Sequence, residues 1–134
     1  MTYVLGTKSR AKLVGVHPKL IAVVERAIKL SSIDFTITCG TRSMAEQKRL
    51  KATGATTTLN SRHVPDNNKS RLSCAIDLAP LVDGKVRWDW PLFYKLNDAM
   101  QAAAKELNVP IEWGGSWRTF KDGPHFQLPW KSFP

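Results

Sequence analysis

Apolar residues recur along this chain with two different periods, and the change of period marks its elements. Leu20, Ile21, Val24, Ala27 and Ile28 fall on one face at helical spacing, flanked by Val23 and Leu30, which predicts an amphipathic helix over 18–30 begun by Pro18. The pattern then alternates: Phe35-Thr36-Ile37-Thr38-Cys39 sets apolar side chains against hydroxyls, as in a strand with one buried face. Gly40 ends that strand and residues 44–51 have helix-forming composition, so Arg42 stands at a strand-to-helix junction, where a side chain can point into a cleft. The Thr-rich stretch 52–60 reads as a loop, the polar stretch 65–71 as a surface loop, and the apolar run 74–79 as a buried strand. Val82-Asp83-Gly84-Lys85-Val86 predicts a hairpin through Asp-Gly. Phe93, Leu96, Met100, Ala103, Ala104 and Leu107 predict a long structural helix over 92–107, with Asp89 able to cap it and Pro91 near its start. Residues 110–113 open a closing sheet region, and His125-Phe126-Gln127-Leu128 supplies a short strand that Pro129 stops. Residues 1–16 show no clear periodicity and read as an arm lying on the domain. The expected fold is a single α+β domain spanning 1–134, with helices packed on a small, mainly antiparallel sheet.

Composition narrows this picture. A chain of 134 residues has room for one core, and a hydrophobic content of 43% with five tryptophans suits a packed globule. No apolar run approaches 18 residues, so stable membrane insertion is not expected. The first 19 residues lack a charged-then-apolar export pattern, which gives the expectation of a protein made in the cytoplasm and not exported by that route. A formal charge of +9 favours an anionic partner: nucleic acid, a membrane surface or an acidic wall polymer. No helix-turn-helix pattern, zinc finger or interleaved basic and aromatic motif supports nucleic-acid binding. Cys39 and Cys74 are too few for a disulfide scaffold, lack CxxC spacing and read as small buried residues. His17 reads as a capping or surface residue, and Trp88, Trp90 and Trp130 as packing residues.

Asp77 changes the functional picture, because a carboxylate inside an apolar strand is costly unless a positive group neutralises it. In the last quarter, Asp122 precedes His125 by three residues across a Gly-Pro turn that can aim both side chains into one pocket. A catalytic zinc takes about three protein ligands and leaves a position open. His63, Asp77 and His125 form such a set, with Asp122 left unligated to move protons and Arg42 placed to stabilise an oxyanion.

The same residues carry a resemblance. Gly40-x-Arg42 with Gln47, Ser61-x-His63 with Ala75-x-Asp77, and Trp113-Gly114-Gly115, Trp117 and Asp122-x-x-His125 resemble, in order, the motifs of the zinc D-Ala-D-Ala carboxypeptidase and L-alanyl-D-glutamate peptidase family, especially its small phage endolysins. The resemblance implies a Hedgehog/DD-peptidase-like fold, zinc on His63, Asp77 and His125, and Asp122 as general base. It further implies that Arg42, Ser61, Gln47 and Trp117 act at the substrate, a peptidoglycan stem peptide cut at the L-Ala–D-Glu bond. The alternatives are D-Ala-D-Ala cleavage, or a non-catalytic basic module that binds wall or nucleic acid. A monomer waiting in the host cytoplasm for a holin-type permeabilising partner, then acting at the periplasm and cell wall, is the implied setting. One departure stands out: relatives separate the first histidine and the aspartate by seven residues, whereas here the separation is 77 − 63 = 14, and Ser73 occupies the glycine position. The extra polar residues are expected to bulge outward while both ligands keep their places.

Overall fold

The computed structural model describes residues 2–134, which form in chain order α1 (Thr7–Ala11), α2 (Pro18–Leu30), β1 (Asp34–Cys39), α3 (Met44–Ala52), β2 (Ala75–Val82), β3 (Lys85–Val86), α4 (Trp90–Leu107), β4 (Glu112–Trp113) and β5 (His125–Gln127). The α+β architecture expected from the periodicities is present. α2 and α4 each start with proline in the first turn, where its missing N–H is no loss. They pack their apolar stripes on one another and on the sheet: Leu20, Val23, Val24, Ala27 and Ile28 from the first, Phe93, Leu96, Met100, Ala103 and Ala104 from the second. His17 caps α2, its Nδ1 accepting from the Lys19 amide at 3.1 Å. Asp83 and Gly84 both have positive φ, 52° and 76°, the signature of a tight hairpin turn that joins β2 to β3.

The sheet is antiparallel throughout, in the order β1-β2-β5-β4, with β3 also paired to β2. Its registers matter more than its order. Asp77 lies opposite Cys39 on one neighbour and His125 on the other, so three polar residues form one row across three strands. A register shift between Ile37 and Cys39 produces the first of these pairings, since it lets Thr38 stand outside the ladder and carries Cys39 forward to Asp77. Period-2 alternation then divides the faces. Ile76, Leu78 and Phe126 enter the apolar core, while Asp77, His125 and Gln127 look the other way.

Several expectations need correction. Residues 2–16 lie on the domain with more order than their lack of periodicity suggests: Leu5, Leu13 and Val16 belong to the core, and α1 places the buried Ser9 hydroxyl 2.9 Å from Thr36 Oγ1, where it also accepts from the Ile37 amide. A five-residue helix is too short to leave a periodic trace. Asp89 does not bond the helix end with its side chain but pairs with Arg87. Trp88 and Trp90 are not core residues: Trp88 is 58% exposed, and the two lie beside Phe93, which fills the buried position between them. The stretch 65–71 is also not wholly superficial, because Asn68 is only 2% exposed. Its amide donates to the carbonyls of Arg62 and Leu72, so the long connection between His63 and Asp77 is stitched inward at its middle.

Candidate active site

The polar row on the sheet is completed by a turn. His63 arrives on the segment before β2, held by the Arg42 amide donating to its carbonyl and by the Cys74 amide donating to Arg62 O at 2.8 Å. Its Nδ1 lies 2.8 Å from the Gly40 carbonyl, which can only accept, so that nitrogen carries the proton and Nε2 presents a lone pair. Nε2 is 3.2 Å from Asp77 Oδ1. His125 is arranged in the same sense with its nitrogens exchanged. Gln127 directs its amide nitrogen to Glu112 Oε2 at 3.3 Å, which leaves its carbonyl oxygen 2.8 Å from His125 Nε2. Nε2 therefore donates, and Nδ1, 3.1 Å from the same Asp77 oxygen, offers a lone pair. Two imidazole lone pairs and one carboxylate oxygen thus converge with no donor between them.

Such an arrangement needs a cation. In the bare protein a proton serves: burial pushes the His63 imidazole down, but the Asp77 carboxylate outweighs it and lifts the group to about 10. Burial likewise opposes ionisation of Asp77, and the two histidines overcome it, holding the carboxyl well below the usual range. The 3.1 and 3.2 Å between Asp77 Oδ1 and the two imidazole nitrogens are close to the roughly 3.3 Å that separates ligand atoms about 2.0–2.1 Å from a tetrahedral zinc. Cys39, His63 and Asp77 also offer a set of donors, one atom from each lying within 4.8 Å of the others. Cys39 Sγ, however, is 3.7 Å from His63 Nδ1, the nitrogen committed to Gly40, and it receives Arg42 Nη2 at 3.3 Å. The His63 nitrogen that faces the thiol is therefore not the one that faces Asp77.

Asp122 reaches this cluster through a glycine-dependent turn. Its amide donates to Gly114 O at 3.0 Å, and its carbonyl accepts from the His125 amide across Gly123-Pro124. A Cβ on Gly114 would lie 2.5 Å from Asp122 O, and one on Gly115 would lie 2.3 Å from the Trp113 ring, so only glycine admits this close packing. Trp113 secures the other side, Nε1 donating to Gly123 O at 2.7 Å. Burial, with the nearby Asp77 charge, raises the Asp122 carboxyl above its ordinary value. Asp122, Arg42, Ser61, His63, Asp77, Trp117 and His125 all line one cleft of about 500 Å³. Its far wall comes from the loop after α3, with Ala55, Thr56, Thr58 and Asn60.

A protein of this architecture has known relatives. The model of the phage L-alanyl-D-glutamate peptidase family matches residues 1–128. The chain belongs to that family. It is 35% identical over 123 residues to the L-alanyl-D-glutamate peptidase of Escherichia phage T5, which covers 91% of this chain and 87% of that protein. It is also 33% identical over 102 residues to the peptidoglycan L-alanyl-D-glutamate endopeptidase CwlK of Bacillus subtilis, covering 72% of this chain and 61% of CwlK. Among solved structures it resembles the Serratia marcescens L-Ala D-Glu endopeptidase ChiX, with a TM-score of 0.85 and 36% identity over 96% of this chain and 92% of that one. The vancomycin-resistance D,D-dipeptidase VanXYg shares the fold at a TM-score of 0.51 and 15% identity, over 84% of this chain and half of that one. The protein is accordingly a peptidase of the phage L-alanyl-D-glutamate class.

Within this peptidase one expected site residue and one expected core residue have other surroundings. Gln47 is 0% exposed and reaches Arg42 Nη1 at 2.8 Å and Thr58 O at 2.7 Å, so it braces Arg42 from below and does not face the cleft. Cys39 is not an inert core residue: it touches both Arg42 and His63. Gln127 and Glu112, which set the His125 tautomer, were not expected, because that role depends on strand register rather than on sequence spacing. Ser73, at the position expected to hold glycine, is buried with its hydroxyl within donating reach of both Gly40 O and Ala75 O.

Proposed function

We propose that this chain is a single-domain, zinc-dependent endolysin that hydrolyses the L-Ala–D-Glu bond of peptidoglycan stem peptides. The observation that supports this most strongly is the convergence of His63 Nε2, His125 Nδ1 and Asp77 Oδ1, with the remaining imidazole nitrogens already spent on Gly40 O and Gln127 Oε1. His63, Asp77 and His125 would hold the zinc, which when bound supplies Lewis acidity to water and to a carbonyl. Asp122 takes a proton from the attacking water and later returns it to the departing amine nitrogen, a role that suits a carboxyl of raised affinity for protons. The Arg42 guanidinium, braced by Gln47, meets the negative charge that develops on the former carbonyl oxygen. Ser61 and Trp117 flank the peptide from the cleft walls.

The net charge of +9 suits approach to an anionic envelope. No helix among the described residues is long and apolar enough to cross a membrane. We place the enzyme, as a monomer, in the host cytoplasm until a holin-type partner opens the way to the wall. The test is incubation of purified protein with Gram-negative peptidoglycan. New amino termini on D-Glu, arrest by chelator and recovery with zinc are expected, whereas release of free D-Ala would indicate D-Ala-D-Ala cleavage and an unchanged wall would refute the enzyme.

A further inference from the structure

Residues 129–134 lie beyond the segment that the family model matches, yet they help build the cleft. Trp130 lines the same cavity as Asp122, His125 and Arg42 and is 38% exposed, so the packing role expected of it does not describe its place. It is held from behind by Arg62, whose Cζ lies 4.0 Å from the centre of the indole. Arg62 is only 3% exposed, and among the described residues none of its hydrogen bonds goes to a carboxylate side chain. Its donors go instead to Leu128 O at 3.2 and 2.8 Å, Phe133 O at 2.6 Å and Asn68 Oδ1 at 2.7 Å. The Lys69 amide adds a bond to Pro134 O, and Phe133 packs edge-on against His17. A buried guanidinium spent on main-chain carbonyls fixes the path of the segment and the plane of the ring together. Arg62 also stands between Ser61 and His63 in sequence, so one residue ties the tail to the turn that carries the reacting groups.

We propose that Trp130 is a substrate-contacting residue that sets affinity, taking the uncharged, CH-rich face of a peptidoglycan fragment, and that Arg62 is the residue that positions it. This rests on the peptidase reading of the same cleft. An exposed ring held rigidly loses little freedom when a ligand covers it, which is why aromatic residues dominate binding energy out of proportion to their number.

The experiment is steady-state cleavage of a soluble stem-peptide fragment by the zinc-loaded protein. Trp130→Ala should raise KM about tenfold with kcat within twofold, and Trp130→Phe should recover most of the loss. Trp88→Ala, which removes an exposed tryptophan outside the cleft, should change neither. Arg62→Lys keeps the charge but not the fork, and should raise KM in a way that is not additive with Trp130→Ala. An unchanged KM in Trp130→Ala, or a fall in kcat alone, overturns the proposal. Calorimetric binding of the same fragment to Asp122→Asn protein, with and without Trp130→Ala, separates the two readings. If the parent cleaves nothing, the proposed function fails while a tenfold loss of binding still sustains the role of Trp130; a parent that binds no fragment overturns both.

Discussion

The two faces of β2 and β5 are one residue apart and obey different rules. Ile76, Leu78 and Phe126 point into the helices and are specified by little more than being apolar and of suitable volume. Asp77 and His125, the adjoining cross-strand pair, depend on register, tautomer and the polarity of every neighbour, because each hydrogen bond on that face decides where a lone pair points. The core face can therefore give ground in stability without touching the chemistry. The site face can lose its chemistry while the fold persists.

The largest effect should follow from Asp77→Ala. It should lower peptide cleavage by about a thousandfold or more and abolish the zinc-dependent rise in Tm, and the chelated variant should also melt below the chelated parent near neutral pH, since the carboxylate that holds the His63 imidazole protonated up to about 10 is gone. Asp122→Asn should come next, lowering kcat by about 10²–10⁴-fold with zinc affinity unchanged, as measured by kinetics beside a competitive zinc titration. A parallel loss of zinc would place Asp122 among the ligands. Gln127→Leu leaves His125 free to adopt the wrong tautomer, and zinc affinity should fall about 10- to 100-fold. Leu78→Ala, on the opposite face, should cost about 2–5 kcal/mol in denaturant unfolding and leave kcat of the folded enzyme unaltered. A comparable loss of kcat there would mean that the two faces are not separable.

How much of this could be read from the chain follows the same division. The two long helices, both buried strands and the Asp-Gly hairpin declare themselves through periodicity and turn chemistry, because each is a local pattern. Asp122, the Gly-Pro turn and His125 are close in sequence, and the glycines before them proved necessary for the close approach of Gly114 to Asp122. What is not legible in the chain depends on long-range register or on backbone acceptors. Gln127 reads as an ordinary strand residue until β4 places Glu112 beside it. Asn68 reads as a surface polar group and Arg62 carries no local signal at all, because the carbonyls that bury them belong to residues 128 and 133 or to the interior of their own loop. The insertion between His63 and Asp77 illustrates both halves: it leaves His63 against Asp77, as loop entropy allows, but it folds inward through Asn68 instead of bulging freely. The partial exposure of Trp88, Trp90 and Trp130 is illegible for a simpler reason, since composition reports the size of an aromatic residue and not which side of a helix or segment it occupies.

X-ray absorption at the zinc edge tests the central arrangement most directly, because sulfur scatters from about 2.3 Å and imidazole or carboxylate from about 2.0–2.2 Å. Two imidazoles with oxygen ligands and no sulfur shell, unchanged in Cys39→Ser, is the result expected of His63, Asp77 and His125. A sulfur shell that disappears in Cys39→Ser would put the cation on the other side of the His63 ring and contradict the account.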